Sequence, residues 1–175
     1  IGTVIEQQIP DPDFTTAPYP NPEDPNAFAL SIEKGKERDA ELLLATDPDA
    51  DRLGAMVRTP DGTYIPLTGN QTGAILVHYI LDSLSKRRAI PEKSVIVTSI
   101  VTSDFGPDVA RSFGIPTVYT LTGFKNICGK ANEYDRTGEH RFLFGYEESI
   151  GFVYGTRVRD KDAVSSGLLM IEAAA

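Results

Sequence analysis

The sequence predicts an α/β fold of layered, mostly parallel mixed sheets with flanking helices. Three observations support this class. Short apolar runs rich in β-branched residues, such as Ser94–Ile100, alternate with longer segments of helical periodicity, such as Asn70–Lys86. Glycine and proline residues mark the boundaries between these segments. The composition, with 41% hydrophobic and 24% charged residues, is typical of a globular protein.

The first elements of the chain are predicted to be a strand, a proline-rich loop and a helix. Thr3–Ile9 is predicted as the strand. The prolines between Pro10 and Pro25 remove backbone donors and fix φ, which predicts a loop. Asp24 is expected to cap the following helix, whose first position is Pro25.

A group of short strands is predicted next. Glu41–Thr46 is an apolar run that acidic residues follow at once. Leu53–Arg58 and Tyr64–Leu67 lie on either side of Pro60-Asp61-Gly62, which is a turn signal. We therefore expect these two strands to pair as a hairpin.

A second structural unit is predicted to begin after a boundary at residues 66–70. Strands and helices alternate in it, and strands joined by helices usually pair in parallel. The last helix is expected to carry Val164, Leu168 and Ile171 on one face. The predicted elements are helix Asn70–Lys86, strand Ser94–Ile100, helix Asp104–Phe113, strand Thr117–Leu121, helix Phe124–Tyr134, strand Arg141–Tyr146 and helix Asp160–Ala174.

Charge and cysteine content exclude several classes of function. The chain has 25 acidic and 17 basic residues, a net charge of −8, which argues against nucleic acid or an anionic membrane as partner. No run of about 18 apolar residues is present, so no membrane span is predicted. Cys128 is the single cysteine, which excludes an internal disulfide and suits a reducing cytoplasm, so we predict a cytoplasmic location. We interpret Cys128 as a buried structural residue.

An acidic segment carries the strongest chemical signal. Asp47, Asp49 and Asp51 follow the apolar run Leu42–Ala45, and in an extended segment residues two apart point to the same side. Three converging carboxylates repel one another unless a cation lies between them. Their oxygens select Mg²⁺, Ca²⁺ or Mn²⁺ rather than zinc, and Mg²⁺ suits phosphoryl transfer. The adjacent Arg52 is expected to pair with an aspartate or to hold a phosphate.

Three other interpretations of these aspartates fit less well. An EF-hand loop needs Gly at its sixth position and Glu at its twelfth, where this chain has Arg52 and Arg58. A haloacid-dehalogenase-type phosphatase has Thr or Val where this chain has Asp51. A solvated acidic turn is the plain structural alternative, and placement after an apolar strand, where α/β folds bind ligands, argues against it.

Four segments together resemble the α-D-phosphohexomutases, the phosphoglucomutase/phosphomannomutase superfamily. Asp47–Arg52 resembles the metal-binding loop of that superfamily, and Gly145–Ser149 resembles its sugar-recognition loop. Leu121–Lys125 and Arg159–Ala163 fit two further family segments in the same order. The resemblance extends over essentially the whole chain.

The resemblance implies parts of two of the four domains found in members of this family. Residues 1–66 correspond to the C-terminal part of domain II with the metal loop, and residues 67–175 to domain III with the sugar-recognition loop. The phosphoserine domain and the fourth domain, which helps to hold the substrate phosphate, are expected outside this sequence. The sequence starts without methionine and stops within a predicted helix, so we expect both ends to be cut and this chain alone to be inactive.

The resemblance also implies roles for the residues of the metal loop. Asp47, Asp49 and Asp51 would hold Mg²⁺, which is the one cofactor expected. Arg52 would steady the transferring phosphoryl group as a catalytic residue.

Substrate-contacting roles follow from the same resemblance. Glu147 and Ser149 would hydrogen-bond adjacent sugar hydroxyls. Lys161 would contact substrate or handle a proton as a catalytic residue, and Lys125 would contact phosphate. A salt bridge of Lys161 with Asp160 or Asp162 and a surface position for Lys125 are the structural alternatives. Glu148, Arg157 and Arg159 receive no role.

The reaction implied is that of a phosphosugar mutase, most closely a phosphoglucomutase. Such an enzyme interconverts hexose 1-phosphate and 6-phosphate through a phosphoserine and a bisphosphate intermediate. The expected partners are the sugar phosphate, the bisphosphate and the missing domains. Phosphomannomutase or phosphopentomutase activity, and a stand-alone metal and phosphosugar-binding module, are the alternatives. Ile150-Gly151 stands where the family often has Gly-His, which leaves the sugar open.

Overall fold

A computed structural model describes residues 1–175, which form two β-sheets with helices packed against them. This confirms the predicted α/β class with mixed sheets and flanking helices. The strands are β1 (Leu42–Thr46), β2 (Leu53–Arg58), β3 (Tyr64–Leu67), β4 (Ser94–Ser99), β5 (Thr117–Thr120), β6 (Arg141–Glu147) and β7 (Gly151–Tyr154). The helices are α1 (Ala29–Glu37), α2 (Gly69–Lys86), α3 (Phe105–Ser112), α4 (Phe124–Thr137) and α5 (Ala163–Ala174).

The first sheet has the order β1-β2-β3 and is antiparallel throughout. The predicted hairpin between β2 and β3 is present, and Gly62 in its turn has a φ of 86°, a left-handed conformation that suits glycine. Helix α1 packs on this sheet around the buried Phe28 and Leu43. As predicted, the Asp24 side chain accepts a hydrogen bond from the Asn26 amide, and a 3₁₀ turn at Pro25–Phe28 then leads into α1.

The second sheet has the order β5-β4-β6-β7 and holds the parallel strand pairs. β4 pairs in parallel with β5 and β6, as expected of strands joined by α3 and α4. β6 and β7 form an antiparallel hairpin. Helix α4 packs against this sheet in one hydrophobic cluster. Residues of α2 and α3 pack with residues of β6 in a second cluster. No helix of the chain has the length and apolarity needed to cross a membrane.

Two of the sequence-based expectations are wrong at the ends of the chain. Thr3–Ile9 forms no strand but a short 3₁₀ turn at Ile5–Gln7, because no neighbouring strand pairs with it; Ile5 and Ile9 are 66% and 79% exposed. Helix α5 begins at Ala163 rather than at Asp160, since Asp162 caps it by accepting hydrogen bonds from the amides of the next turn.

Helix α5 contacts strands of both sheets, namely β1 and β2 of the first and β7 of the second. Its small residues Ala163, Ser166 and Gly167 are buried, while Val164 and Leu168 are 64% and 58% exposed. The apolar face predicted for this helix is therefore largely open, and the small-residue face makes the close contact. The start of α5 is thereby fixed beside the loop between β1 and β2.

Candidate active site

The acidic segment forms the loop that joins β1 to β2. The two strands are antiparallel, and Thr46 and Leu53 are the paired residues next to the loop. An extended segment is expected here from the sequence, whereas the structure has a turn. The Ala50 amide donates a hydrogen bond to the Asp47 carbonyl (3.0 Å), and Ala50 has a φ of 55°. This turn brings one carboxylate oxygen from each of Asp47, Asp49 and Asp51 to within 4.8 Å of the others.

Asp47 is the buried member of the three and is held from several directions. Its Oδ1 accepts hydrogen bonds from the Asp51 and Arg52 amides at 3.1 and 3.0 Å. Its Oδ2 accepts one from the Arg52 Nε at 2.9 Å. Burial raises the pKa of Asp47, but these hydrogen bonds outweigh burial and hold the pKa below its ordinary value. The Asp47 carboxylate is therefore fixed in position. Of the two contacts expected for Arg52, the ion pair with an aspartate is the one present.

Asp51 pairs with a lysine from the far end of the chain. The Lys161 Nζ lies 2.7 Å from Asp51 Oδ2 and 3.2 Å from Asp160 Oδ1, and 5.3 Å from the centre of the Phe124 ring. Burial raises the pKa of Asp51; the Lys161 ammonium opposes this rise and the Asp47 carboxylate adds to it. Burial lowers the pKa of Lys161, but hydrogen bonds to Asp51 and Asp160 outweigh it and raise the pKa.

The donor set of the acidic loop fits a hard divalent cation. Carboxylate oxygens are the ligands that Mg²⁺, Ca²⁺ and Mn²⁺ favour. Two ligands on opposite sides of Mg²⁺ are about 4.2 Å apart, given metal–oxygen distances of about 2.1 Å. Neighbouring ligands of an octahedral ion are only about 3.0 Å apart at the same metal–oxygen distance. The three oxygens, which lie within 4.8 Å of one another, therefore have to move closer together to share one ion. Asp49 is exposed and accepts no hydrogen bond from the chain, so it is free to make that movement.

The predicted sugar-recognition residues lie at the end of β6 and in the turn that follows. Glu147 pairs with Gly151 across the β6–β7 hairpin, so Glu148, Ser149 and Ile150 form its turn. Glu147 is only 7% exposed, and its Oε1 accepts a hydrogen bond from the Gly123 amide at 2.5 Å. Ser149 is half-buried and its hydroxyl makes no hydrogen bond within the chain. The Glu147 position is thus tied to the segment that precedes α4.

The acidic loop and the β6–β7 turn contact each other through backbone. The Leu53 amide donates to the Ile150 carbonyl at 3.0 Å, and Arg52 forms an isolated antiparallel bridge with Gly151. The Ala163 amide donates to the Ala50 carbonyl at 3.1 Å, which fixes the start of α5 to the acidic loop. The segments that carry the residues predicted for metal and for sugar therefore contact each other directly.

The remaining basic candidates lie outside this network. Lys125 is exposed in the first turn of α4 and forms no ion pair. Arg159 pairs with Asp135 on α4, and Arg157 is exposed without an ion pair. The structure thus brings Lys161 to the acidic loop, whereas Lys125 forms no ion pair with it.

Several residues around the site were not singled out from the sequence. The Gly123 amide contacts Glu147, and the Phe124 ring lies beside the Lys161 ammonium. Ser99 and Thr102 contact Glu148 from the end of β4. Ser99 and Thr102 could have been predicted from their position at the end of β4, which pairs in parallel with β6, because ligand sites form where parallel strands end.

The chain was compared with models of protein families and with known proteins. Residues 68–175 match the model for phosphoglucomutase/phosphomannomutase, alpha/beta/alpha domain III, and residues 1–62 match the model for domain II. The phosphoglucomutase of Staphylococcus epidermidis is 40% identical over 172 residues, which are 98% of this chain and 30% of that protein. The phosphoglucomutase of Staphylococcus aureus is 38% identical over 170 residues, 97% of this chain and 30% of that protein.

A solved structure supports the same grouping. The phosphoglucomutase/phosphomannomutase family protein of Burkholderia thailandensis superposes with a TM-score of 0.63 at 26% identity, covering 89% of this chain and 31% of its own. Fold and matches together define a pair of α-D-phosphohexomutase domains. The chain belongs to the phosphoglucomutase/phosphomannomutase family. It spans about 30% of the length of the curated relatives that it matches.

Proposed function

We propose that this chain contributes the metal loop and the sugar-recognition loop of a phosphosugar mutase, with phosphoglucomutase as the activity of the full-length protein. The single observation that carries the proposal is the junction of the acidic loop with the β6–β7 turn, through the Leu53 amide and the Ile150 carbonyl. A phosphoryl-binding metal and a sugar-reading carboxylate are needed side by side in such a reaction. Named phosphoglucomutases at 38 to 40% identity support glucose phosphates as the substrates.

Each residue of the site has a task in this proposal. Asp47, Asp49 and Asp51 would hold Mg²⁺, which would supply positive charge against the phosphoryl group. Arg52, held in place by Asp47, presents its remaining guanidinium donors to the same phosphoryl oxygens. Lys161 adds a second cation beside the loop.

The sugar is read on the other side of the junction. The Glu147 carboxylate is fixed at one oxygen by the Gly123 amide, which leaves its other oxygen for sugar hydroxyls. The half-buried Ser149 hydroxyl offers a donor and an acceptor next to it. Lys125 is proposed as an outer contact for substrate phosphate. The phosphoserine that exchanges phosphate with the sugar belongs to a domain beyond these residues, so this chain by itself is expected to turn over no substrate, and the enzyme is proposed to act in the cytoplasm.

The proposal is tested by the mutase activity of the full-length protein on hexose and pentose 1-phosphates. We expect glucose 1-phosphate to be converted to glucose 6-phosphate in a Mg²⁺-dependent reaction. Glu147→Gln should lower kcat/KM for the sugar by about tenfold or more, because hydrogen bonds to a charged group are lost, and should leave Mg²⁺ affinity unchanged. Equal loss of both properties, or of neither, would contradict the role of Glu147, and no turnover of any sugar phosphate would contradict the proposed activity.

A further inference from the structure

The Glu148 side chain is held by two buried hydroxyl groups. Its Oε2 accepts hydrogen bonds from Ser99 Oγ at 3.2 Å and from Thr102 Oγ1 at 3.0 Å. Ser99 and Thr102 are themselves buried, and their hydroxyl oxygens are 2.7 Å apart. The carboxylate therefore closes a compact polar network where β4 ends. Such hydrogen bonds to an ionised acceptor are stronger than neutral ones.

The backbone of Glu148 is confined from a second direction. A Cβ on Gly69, the first residue of α2, would lie 2.0 Å from the Glu148 carbonyl oxygen, so the turn runs directly against the start of the helix. The next residue of that helix, Asn70, accepts a hydrogen bond from the Ser103 amide at 3.0 Å. The segment that carries Thr102 is thus fixed to the same helix end. Side chain and backbone of Glu148 are both held by elements outside the hairpin.

Glu148 separates the two residues that the proposed function assigns to the sugar. Glu147 precedes it and is tied to the Gly123 amide, whereas Ser149 follows it and has no partner of its own. The orientation of Ser149 relative to Glu147 is consequently set by how the residue between them is held. We infer that Glu148 is a positioning residue, which fixes the sugar-reading turn through Ser99 and Thr102 and thereby sets the discrimination between epimeric sugar phosphates. This inference rests on the proposed function.

The test compares variants of the full-length protein on glucose 1-phosphate and mannose 1-phosphate. Glu148→Ala should lower kcat/KM for the preferred sugar by on the order of ten- to a hundredfold, as expected for hydrogen bonds to a charged group. The ratio of kcat/KM between the two sugars should move toward one, while Mg²⁺ affinity stays unchanged. Glu148→Gln should restore most of the ratio, because an amide can still exchange hydrogen bonds with both hydroxyls.

Removal of the anchoring hydroxyls provides the matched control. The double variant Ser99→Ala, Thr102→Val should reproduce the loss of discrimination with Glu148 intact, and it decides the question if Glu148→Ala does not fold. An unchanged sugar ratio in both variants would overturn the inference. So would a loss of Mg²⁺ affinity as large as the loss of kcat/KM, since that would indicate a general structural defect.

Amide hydrogen exchange separates this inference from the proposed function. Exchange of the Leu53 amide, which donates a hydrogen bond to the Ile150 carbonyl of the turn, should be faster in Glu148→Ala than in the wild type, because the turn has lost its anchor. If the wild-type protein converts no sugar phosphate, the proposed function fails on that result alone. Exchange that is equally slow in both proteins would overturn the anchoring role of Glu148 whether or not the protein is a mutase.

Discussion

Lys161 shows at the scale of single residues how three neighbouring carboxylates are tolerated in one loop. Arg52 neutralises Asp47 from within the loop, and Lys161 neutralises Asp51 from the segment before α5. Only Asp49 has no cationic partner in the chain. The Lys161 side chain is 21% exposed, so its contact with Asp51 is screened by water less than a surface pair is. Two carboxylates of the loop are therefore balanced by cationic side chains of the chain itself, and the third carries the charge that a bound cation would balance.

Cys128 gives a residue-scale prediction about reactivity and pH. Burial on α4 raises the pKa of its thiol from an ordinary 9.0 to about 11, so the native protein keeps it protonated at mildly alkaline pH. We expect a thiol reagent to label it slowly in the native state and rapidly in denaturant. Because the folded pKa is the higher one, stability should fall as pH rises above 9.0. Rapid native labelling would contradict this placement.

At the scale of elements, two glycines that face Tyr146 of β6 set the distance of α2 and α3 from the sheet. A Cβ on Gly73 of α2 would lie 2.4 Å from Tyr146 Cδ2, and one on Gly106 of α3 would lie 2.0 Å from its hydroxyl oxygen. Tyr146 is fully buried between them. Because protein interiors are close-packed, the Tyr146 ring has no room to move away. Both helices can therefore pack this closely only because Gly73 and Gly106 have no side chain.

A pair of glycine substitutions tests this packing. Gly73→Ala should destabilise the protein by about 1–3 kcal/mol, since it overpacks a filled core. Gly129→Ala on α4 is the matched control, because nothing lies within 4 Å of its added Cβ. It should stabilise by up to about 1 kcal/mol through helix propensity alone. Chemical denaturation of both variants measures the difference, and equal effects of the same sign would refute the account of Tyr146.

The elements differ in how far the sequence could predict them. Asp47, Asp49 and Asp51 converge through a local turn, so their proximity could be foreseen, although the turn at Ala50 rather than an extended strand produces it. Strand β7 was missed because only pairing with β6 makes so short a run a strand. The contact of Lys161 with Asp51 joins distant parts of the chain, and no local pattern encodes it.

The two sheets form one structure at the scale of the whole molecule. Leu53 of β2, Phe152 of β7 and Met170 of α5 lie in the same core cluster. The backbone junction at Ile150 and the Lys161 ion pair lie beside this shared core. This shared core connects the acidic loop with the β6–β7 turn, and the proposed function needs such a connection to hold metal and sugar at a fixed separation.

The claim on which the proposed function depends is that the acidic loop binds a divalent cation, and calorimetric titration with Mg²⁺ measures this directly. We expect the wild-type chain to bind Mg²⁺ and Asp49→Asn to bind it at least about tenfold more weakly, since loss of even an outer-shell partner costs that much. Glu33→Gln, which removes an exposed charge on α1, should bind Mg²⁺ like the wild type. Equal affinity in the wild type and Asp49→Asn, or no binding by the wild type, would contradict the account.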